Sequence, residues 1–165
     1  LDVNLDLFGN IILVKVWFPS KAIVPDERTS LAESGKIQYE KKESPEINKQ
    51  YAELCAATLM QVCALLFGRI PTLGKLYCNG MCREGEKKEC LMALNMERAQ
   101  LERVAHSSTA LVALQGLGAV YVCDEYLKLL PVSQGLLVSI QQSVLVNCRY
   151  LCQPCKASQV QAEDP

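Results

Sequence analysis

The residues with the most chemistry to offer in this sequence are cysteines, most of which fall into two clusters. The clusters are Cys78, Cys82 and Cys90 near the middle, and Cys148, Cys152 and Cys155 near the end. Structural zinc takes four ligands, so the three thiolates of the later cluster would need a fourth from the earlier one. The expected ligands of such a zinc module are Cys78, Cys82, Cys148, Cys152 and Cys155. Nothing else in the sequence requires a cofactor.

Two other states of the same cysteines are open. They could close disulfides, as in a secreted, disulfide-stapled helical ligand or carrier. They could also stay reduced and pack as small apolar side chains. The total of nine is odd and cannot pair fully within one chain, and the sequence contains no N-x-S/T glycosylation site. We therefore favour free thiols in an intracellular protein, with a secreted protein as the alternative.

The sequence gives no sign of an enzyme. Its one histidine, His106, has neighbouring hydroxyls but no G-x-S-x-G turn that would place a nucleophile beside a base. Phosphate-binding loops of the GxxxxGK[ST] and GxGxxG types are absent from the sequence. A net charge of −1 and short basic runs of mixed sign also argue against nucleic-acid binding. We expect a non-enzymatic protein.

The first element that positions these residues is a β-hairpin over residues 1–18. Apolar and polar residues alternate from Leu1 to Leu7, and Gly9 with Asn10 forms a two-residue turn, of type II′ because glycine comes first. A register that places Phe8 opposite Ile11 puts an apolar pair at every position of one face. On the other face it places Asn4 opposite Lys15.

The rest of the chain predicts helices. Residues 19–45 are polar and predict a partly mobile linker, residues 46–155 a helical domain, and residues 156–165 a tail. Ser44 as N-cap and Pro45 begin the first helix, which Gly68 and Pro71 end. After a loop, further helices are predicted from residue 86 to about 106, over 108–130 and over 134–151. The predicted fold class is mainly α, an antiparallel bundle of about four helices with an N-terminal β-hairpin.

Uncharged stretches at residues 107–123 and 129–148 suggest a surface that a partner covers. The second stretch contains too many Ser and Gln residues for lipid, so we expect core helices and no membrane insertion. A small bundle cannot enclose every apolar face, which predicts contact with a protein partner or with another copy of the chain. The sequence thus favours a structural or interaction subunit. The expected contact residues are Leu5, Val14 and Val16 on the hairpin and Leu136, Leu137 and Ile140 on the last helix.

Overall fold

The computed structural model describes residues 2–101 and 107–132, which form a mixed α/β fold. Its strands are β1 (Asp2–Phe8), β2 (Ile11–Trp17), β3 (Glu27–Leu31), β4 (Ile37–Lys41), β5 (Lys75–Glu84), β6 (Lys87–Glu97), β7 (Val120–Cys123) and β8 (Leu129–Leu130). Its helices are α1 (Ser44–Arg69), α2 (Arg98–Leu101) and α3 (Ala110–Gly116), with a 3₁₀ turn at Lys21–Ile23. The prediction of a mainly α four-helix bundle is wrong, because much of the predicted second and third helices is strand.

Six of these strands form one sheet, in the order β1-β2-β5-β6-β7-β8, while β3 and β4 form a separate hairpin. Strands β2 and β5 run parallel, and the chain crosses between them through β3, β4 and α1. The other described neighbours are antiparallel. A parallel pair needs a long crossover, and here α1 supplies it and covers one face of the sheet.

The N-terminal hairpin has the register that the sequence predicts. Phe8 pairs with Ile11, and Asn4 pairs with Lys15. Gly9 has a φ of +62°, the left-handed value that the first position of a type II′ turn requires. An isolated hairpin is marginally stable in water, and the pairing of β2 with β5 gives this one its support.

Helix α1 begins and ends close to the predicted positions. Ser44 is its first residue and not its N-cap, because Glu43 occupies the cap position without a side-chain hydrogen bond. The other end is held by the guanidinium group of Arg98, which donates to four backbone carbonyls. The acceptors are Phe67 at 2.8 Å, Ile70 at 2.6 Å, Leu73 at 3.1 Å and Pro71 at 3.2 Å. Phe67 lies in the last turn of α1, where carbonyls have no partner within the helix, and the other three acceptors lie in the segment that follows.

A long hairpin of β5 and β6 replaces the predicted loop and the start of the predicted second helix. Its strands pair from Lys75 with Glu97 to Glu84 with Lys87. Gly85, with a φ of +62°, turns the chain between them. The predicted second helix is therefore wrong over residues 87–97, and residues 98–101 of its described part form α2.

The predicted third helix is also too long. Helix α3 ends at Gly116, and Gly118 has a φ of +73°. The chain then enters β7, so residues 120–123 are strand and not helix. The segment predicted as a polar linker contains the exposed β3–β4 hairpin. The predicted fourth helix, over 134–151, lies outside the described residues.

The core lies between α1 and the sheet. Leu59 and Cys63 of α1 are 0% exposed, as are Val14 and Val16 of β2. Gly80 of β5 lies against Phe18 so closely that an added Cβ would be 2.3 Å from Cζ of the ring. The aromatic ring therefore fills the space that the missing side chain leaves.

Among the described helices, α1 is long and apolar enough to cross a membrane by length and composition. Its most apolar window has a mean hydropathy of 1.5, and 39% of that window is buried within the protein. The buried residues of α1 include Cys55, Leu59 and Cys63, which belong to the core against the sheet. Packing against the sheet accounts for much of its apolar character.

Candidate functional site

Four of the cysteines pack in the core between α1 and the sheet. Cys55 and Cys63 come from α1, and Cys78 and Cys82 come from β5. Each is less than 9% exposed. Burial raises the pKa of Cys55 to about 12. A hydrogen bond with Cys63, followed by burial, raises the pKa of Cys78 well above its ordinary value.

Cys90 of β6 is another buried thiol. It lies 3.2 Å from the carbonyl oxygen of Met92, and burial raises its pKa to about 11. A cysteine nucleophile reacts as the thiolate, and the raised pKa values of Cys55 and Cys90 disfavour the thiolate near neutral pH. Within residues 2–101 and 107–132, no group of three or more Cys, His, Asp or Glu side chains has the geometry of a metal site.

The predicted zinc ligands are only partly described. Cys78 and Cys82 lie four residues apart on β5, so both side chains point to the same face and enter the core. Cys148, Cys152 and Cys155 lie outside the described residues, so the proposed meeting of the two clusters stays a prediction. The disulfide alternative likewise stays a prediction for those three, while the six described cysteines form no disulfide with one another.

A polar cleft of about 170 Å³ lies where β2 and β5 end, beside the first turns of α1. Crevices at the carboxyl ends of parallel strands are common ligand sites in α/β folds. Lys21, Lys128 and Glu89 bring charges to this cleft, and Cys82 lies in its wall. The arrangement could accept a small polar molecule.

The buried polar groups of the cleft already have partners in the protein. The amide of Asn48 accepts a hydrogen bond from Lys21 and donates one, of 2.7 Å, to the carbonyl of Tyr126. The hydroxyl of Tyr51 donates to the carbonyl of Pro19 at 2.8 Å. No fully buried side-chain nitrogen or oxygen of the described residues lacks a partner. These groups join the strand ends to α1 and need no ligand to satisfy them.

A shallow groove of about 670 Å³ lies between the outer face of α1 and the start of α3. Its walls include Ala57, Met60, Ala64 and Ala110. Leu101 and Ser107 also line it, and the residues between them lie outside the described ranges.

The edge strand β1 is the most accessible element of the sheet. Each residue from Asp2 to Asp6 is exposed, with Val3 at 36% and Leu5 at 51%. β1 pairs with β2 on one side and, among the described strands, with nothing on the other. It therefore presents a row of backbone N–H and C=O groups that another strand could bind.

The side chains of β1 also continue the apolar face of the sheet. Val3 pairs with Val16 and Leu5 pairs with Val14, so these four side chains share the face on which α1 lies. Helix α1 covers Val14 and Val16 completely and leaves Val3 and Leu5 accessible. The apolar surface thus extends beyond α1 to the edge of the sheet.

The hairpin turn determines which backbone groups of β1 face outward. In a two-residue hairpin the residues that flank the turn exchange both of their hydrogen bonds, and the pattern then alternates. Phe8, Asp6 and Asn4 therefore bind β2, whereas Leu7, Leu5 and Val3 direct their N–H and C=O groups away from it. The free edge offers three residues in the spacing that an added strand requires.

These observations divide the contact residues predicted from the sequence. Leu5 is exposed on the edge strand, whereas Val14 and Val16 are buried under α1 and cannot reach a partner in this fold. Leu136, Leu137 and Ile140 lie outside the described residues. The sequence contains a signal that separates β1 from β2. The polar residues Asp2, Asn4 and Asp6 alternate along β1, whereas β2 reads IILVKVW, as expected of a strand covered on both sides.

No family model matches this chain, and neither a curated protein nor a solved structure matches it.

Proposed function

We propose that this protein is a non-enzymatic interaction module whose docking element is the edge strand β1. A partner strand would extend the six-stranded sheet by pairing with β1. The observation that carries the proposal is the combination of outward backbone groups at Val3, Leu5 and Leu7 with apolar surface at Val3 and Leu5. In strand addition, main-chain hydrogen bonds supply affinity and alternate side chains supply specificity.

The buried cysteines and the polar groups of the cleft support this assignment as parts of the scaffold and not as binding sites. The thiols of Cys55 and Cys90 are buried and have raised pKa values, and the polar groups of the cleft bind backbone carbonyls. The buried thiols and the hydrogen bonds of the cleft both hold α1 against β2 and β5. A rigid sheet behind the edge strand reduces the conformational entropy that binding must overcome.

Amide hydrogen exchange tests the proposal, with a library of synthetic heptapeptides of alternating apolar and polar residues as the probe. A peptide that adds to the sheet should slow exchange at Val3, Leu5 and Leu7. The amides of Asn4 and Asp6 serve as an internal control, because they already bind β2 and should not change.

Leu5→Pro is the variant that separates strand addition from other binding. Its missing N–H points outward, where proline is tolerated on an edge strand, so the β1–β2 ladder should survive. Unchanged protection at Asn4 and Asp6 would show that the hairpin is intact, and peptide binding should then be lost. The proposal would be wrong if bound peptides left exchange at Leu5 unaltered, or if Leu5→Pro bound them as well as the original chain.

A further inference from the structure

We infer that β1 pairs with β1 of a second copy of this chain. The two strands would run antiparallel, with the pairing centred on Leu5. This inference rests on the proposed docking role of β1. The two sheets would join across a two-fold axis, with Leu5 opposite Leu5 of the second copy and Val3 opposite Leu7. All seven residues of β1 would then pair.

The backbone restricts the registers that two copies can adopt. The outward groups belong to Val3, Leu5 and Leu7 on both strands, so an antiparallel pair must place an odd-numbered residue opposite an odd-numbered one. Two-fold pairings that keep most of the strand are therefore centred on Asn4, Leu5 or Asp6.

Charge distinguishes these three registers. Centring on Asn4 places Asp2 directly opposite Asp6 of the second copy, and centring on Asp6 places the two Asp6 side chains opposite each other. Like charges directly opposite each other destabilise a strand pair. Centring on Leu5 instead places Asp6 opposite Asn4 and Asp2 opposite Phe8, so no carboxylate faces another.

The side chain of Asn4 is suited to that position. Its Oδ1 accepts a hydrogen bond of 2.8 Å from Nε1 of Trp17, which orients the amide. Its Nδ2 has no hydrogen bond to any residue within the described ranges, and it can donate to the carboxylate of Asp6 of the second copy. Asn4 and Asp6 would form the closely spaced type of antiparallel pair, in which side chains approach most nearly. The symmetry gives two such pairs in each dimer.

On the opposite face, the two exposed Leu5 side chains would lie opposite each other, with Val3 of each copy diagonal to Leu5 of the other. Each lies beyond the edge of α1 and gains cover from the other copy. The apolar contact and the Asn4–Asp6 pairs fall on different faces of the joined sheet, because neighbouring residues of a strand alternate. The two copies therefore complement each other on both faces of the joined sheet.

The test is the dimer dissociation constant at low ionic strength, measured by sedimentation for the original chain, Asn4→Lys and Asn4→Asp. In the Leu5-centred register, Asn4→Lys places a cation opposite Asp6 twice and should tighten the dimer by about two- to thirtyfold. Asn4→Asp creates two facing carboxylate pairs and should weaken it by a similar factor. Leu65→Lys is the matched control: this leucine is 53% exposed on α1 and its replacement should have no effect.

Every other outcome overturns the inference. Weaker association of Asn4→Lys would indicate the Asn4-centred register. No response to either variant would indicate the Asp6-centred register, in which Asn4 faces Phe8, or a different surface. A monomer at all concentrations would exclude the second copy as the occupant. Peptide-induced protection at Leu5 would still support the docking role of β1 in that case, so failure of the dimer is distinguishable from failure of the proposed function.

Discussion

Gly80→Ala tests how closely β5 and the segment after β2 are packed. The new Cβ would lie 2.3 and 2.4 Å from two ring atoms of Phe18 and 3.4 Å from Cδ1 of Leu59. Carbon atoms in contact normally lie about 3.5–4.0 Å apart, so the ring must move by more than about 1 Å. Phe18 is 7% exposed and Leu59 is 0% exposed, which leaves little room for that movement.

We expect Gly80→Ala to lower the free energy of unfolding by about 2 kcal/mol. Overpacking a core costs about 1–3 kcal/mol, and complete loss of the burial of Phe18 would cost about the same. Urea denaturation measures the effect. With a slope of about 2 kcal/mol/M, the midpoint should fall by about 1 M while the slope stays constant.

Gly68→Ala is the matched control, because it makes the same chemical change in a helix with nothing within 4 Å of the new Cβ. It should raise stability by about 0.5–1 kcal/mol. Phe18→Leu combined with Gly80→Ala should cost less than the sum of the two single changes, since the smaller side chain relieves the contact. A stability of Gly80→Ala within about 0.5 kcal/mol of the original chain would refute the packing argument.

Two further predictions concern the end of α1 and the buried thiols. Arg98→Ala should lower the free energy of unfolding by about 2–3 kcal/mol, because about 1 kcal/mol is expected for each of its two part-buried bonds and less for the two exposed ones. Arg98→Lys restores the positive charge at the helix terminus, which should recover only about 0.5 kcal/mol of the lost stability. If Arg98→Lys and the original chain are equally stable in denaturation, this prediction is wrong. Cys55 and Cys90 have folded pKa values raised to about 12 and about 11 from 9.0, so above pH 9 the unfolded chain binds fewer protons and stability must fall. Each thiol contributes a slope of up to about 1.4 kcal/mol per pH unit, so Cys55→Ala should show a shallower loss between pH 9 and 11 in denaturation at several pH values, and an unchanged slope would count against it.

The elements that the sequence predicts correctly are those with local signals. The β1–β2 hairpin follows from alternation and a Gly-Asn turn, and only one register matches its apolar residues. Helix α1 follows from Pro45 at its start and Gly68 near its end. In both cases neighbouring residues carry the information, so the distant parts of the chain are not needed.

Strands β5 and β6 depend on contacts that a sequence pattern does not show. The run CLMALNME consists mostly of good helix formers, and a short apolar run cannot be assigned to strand or helix by its period. Pairing with β5 over the whole length of β6 overrides that propensity. Gly85 takes a positive φ at the turn of this hairpin, as Gly9 does in the first one, although its segment was predicted to be a loop.

The candidate site was predictable in part for the same reason. Leu5 was predicted as a contact residue from the local pattern of the hairpin. Val14 and Val16 lie on the same face of that hairpin, so they were predicted as contact residues too. Their burial depends on α1 crossing over β2 and stopping short of β1, which is a tertiary relation. Sequence patterns report which face is apolar and not how much of that face a distant helix will cover.

The parallel pairing of β2 with β5 also determines how the chain reaches this structure. Each hairpin with a two-residue turn has contacts close in sequence, and such contacts form in microseconds. β2 cannot pair with β5 until the segment containing β3, β4 and α1 has closed into a loop. The chain loses conformational entropy in that closure before the β2–β5 hydrogen bonds can stabilise the fold. During synthesis the β1–β2 hairpin is made before α1 and β5. The side chains of Val14 and Val16 remain uncovered throughout that interval, which makes it the period in which the nascent chain is most exposed to aggregation.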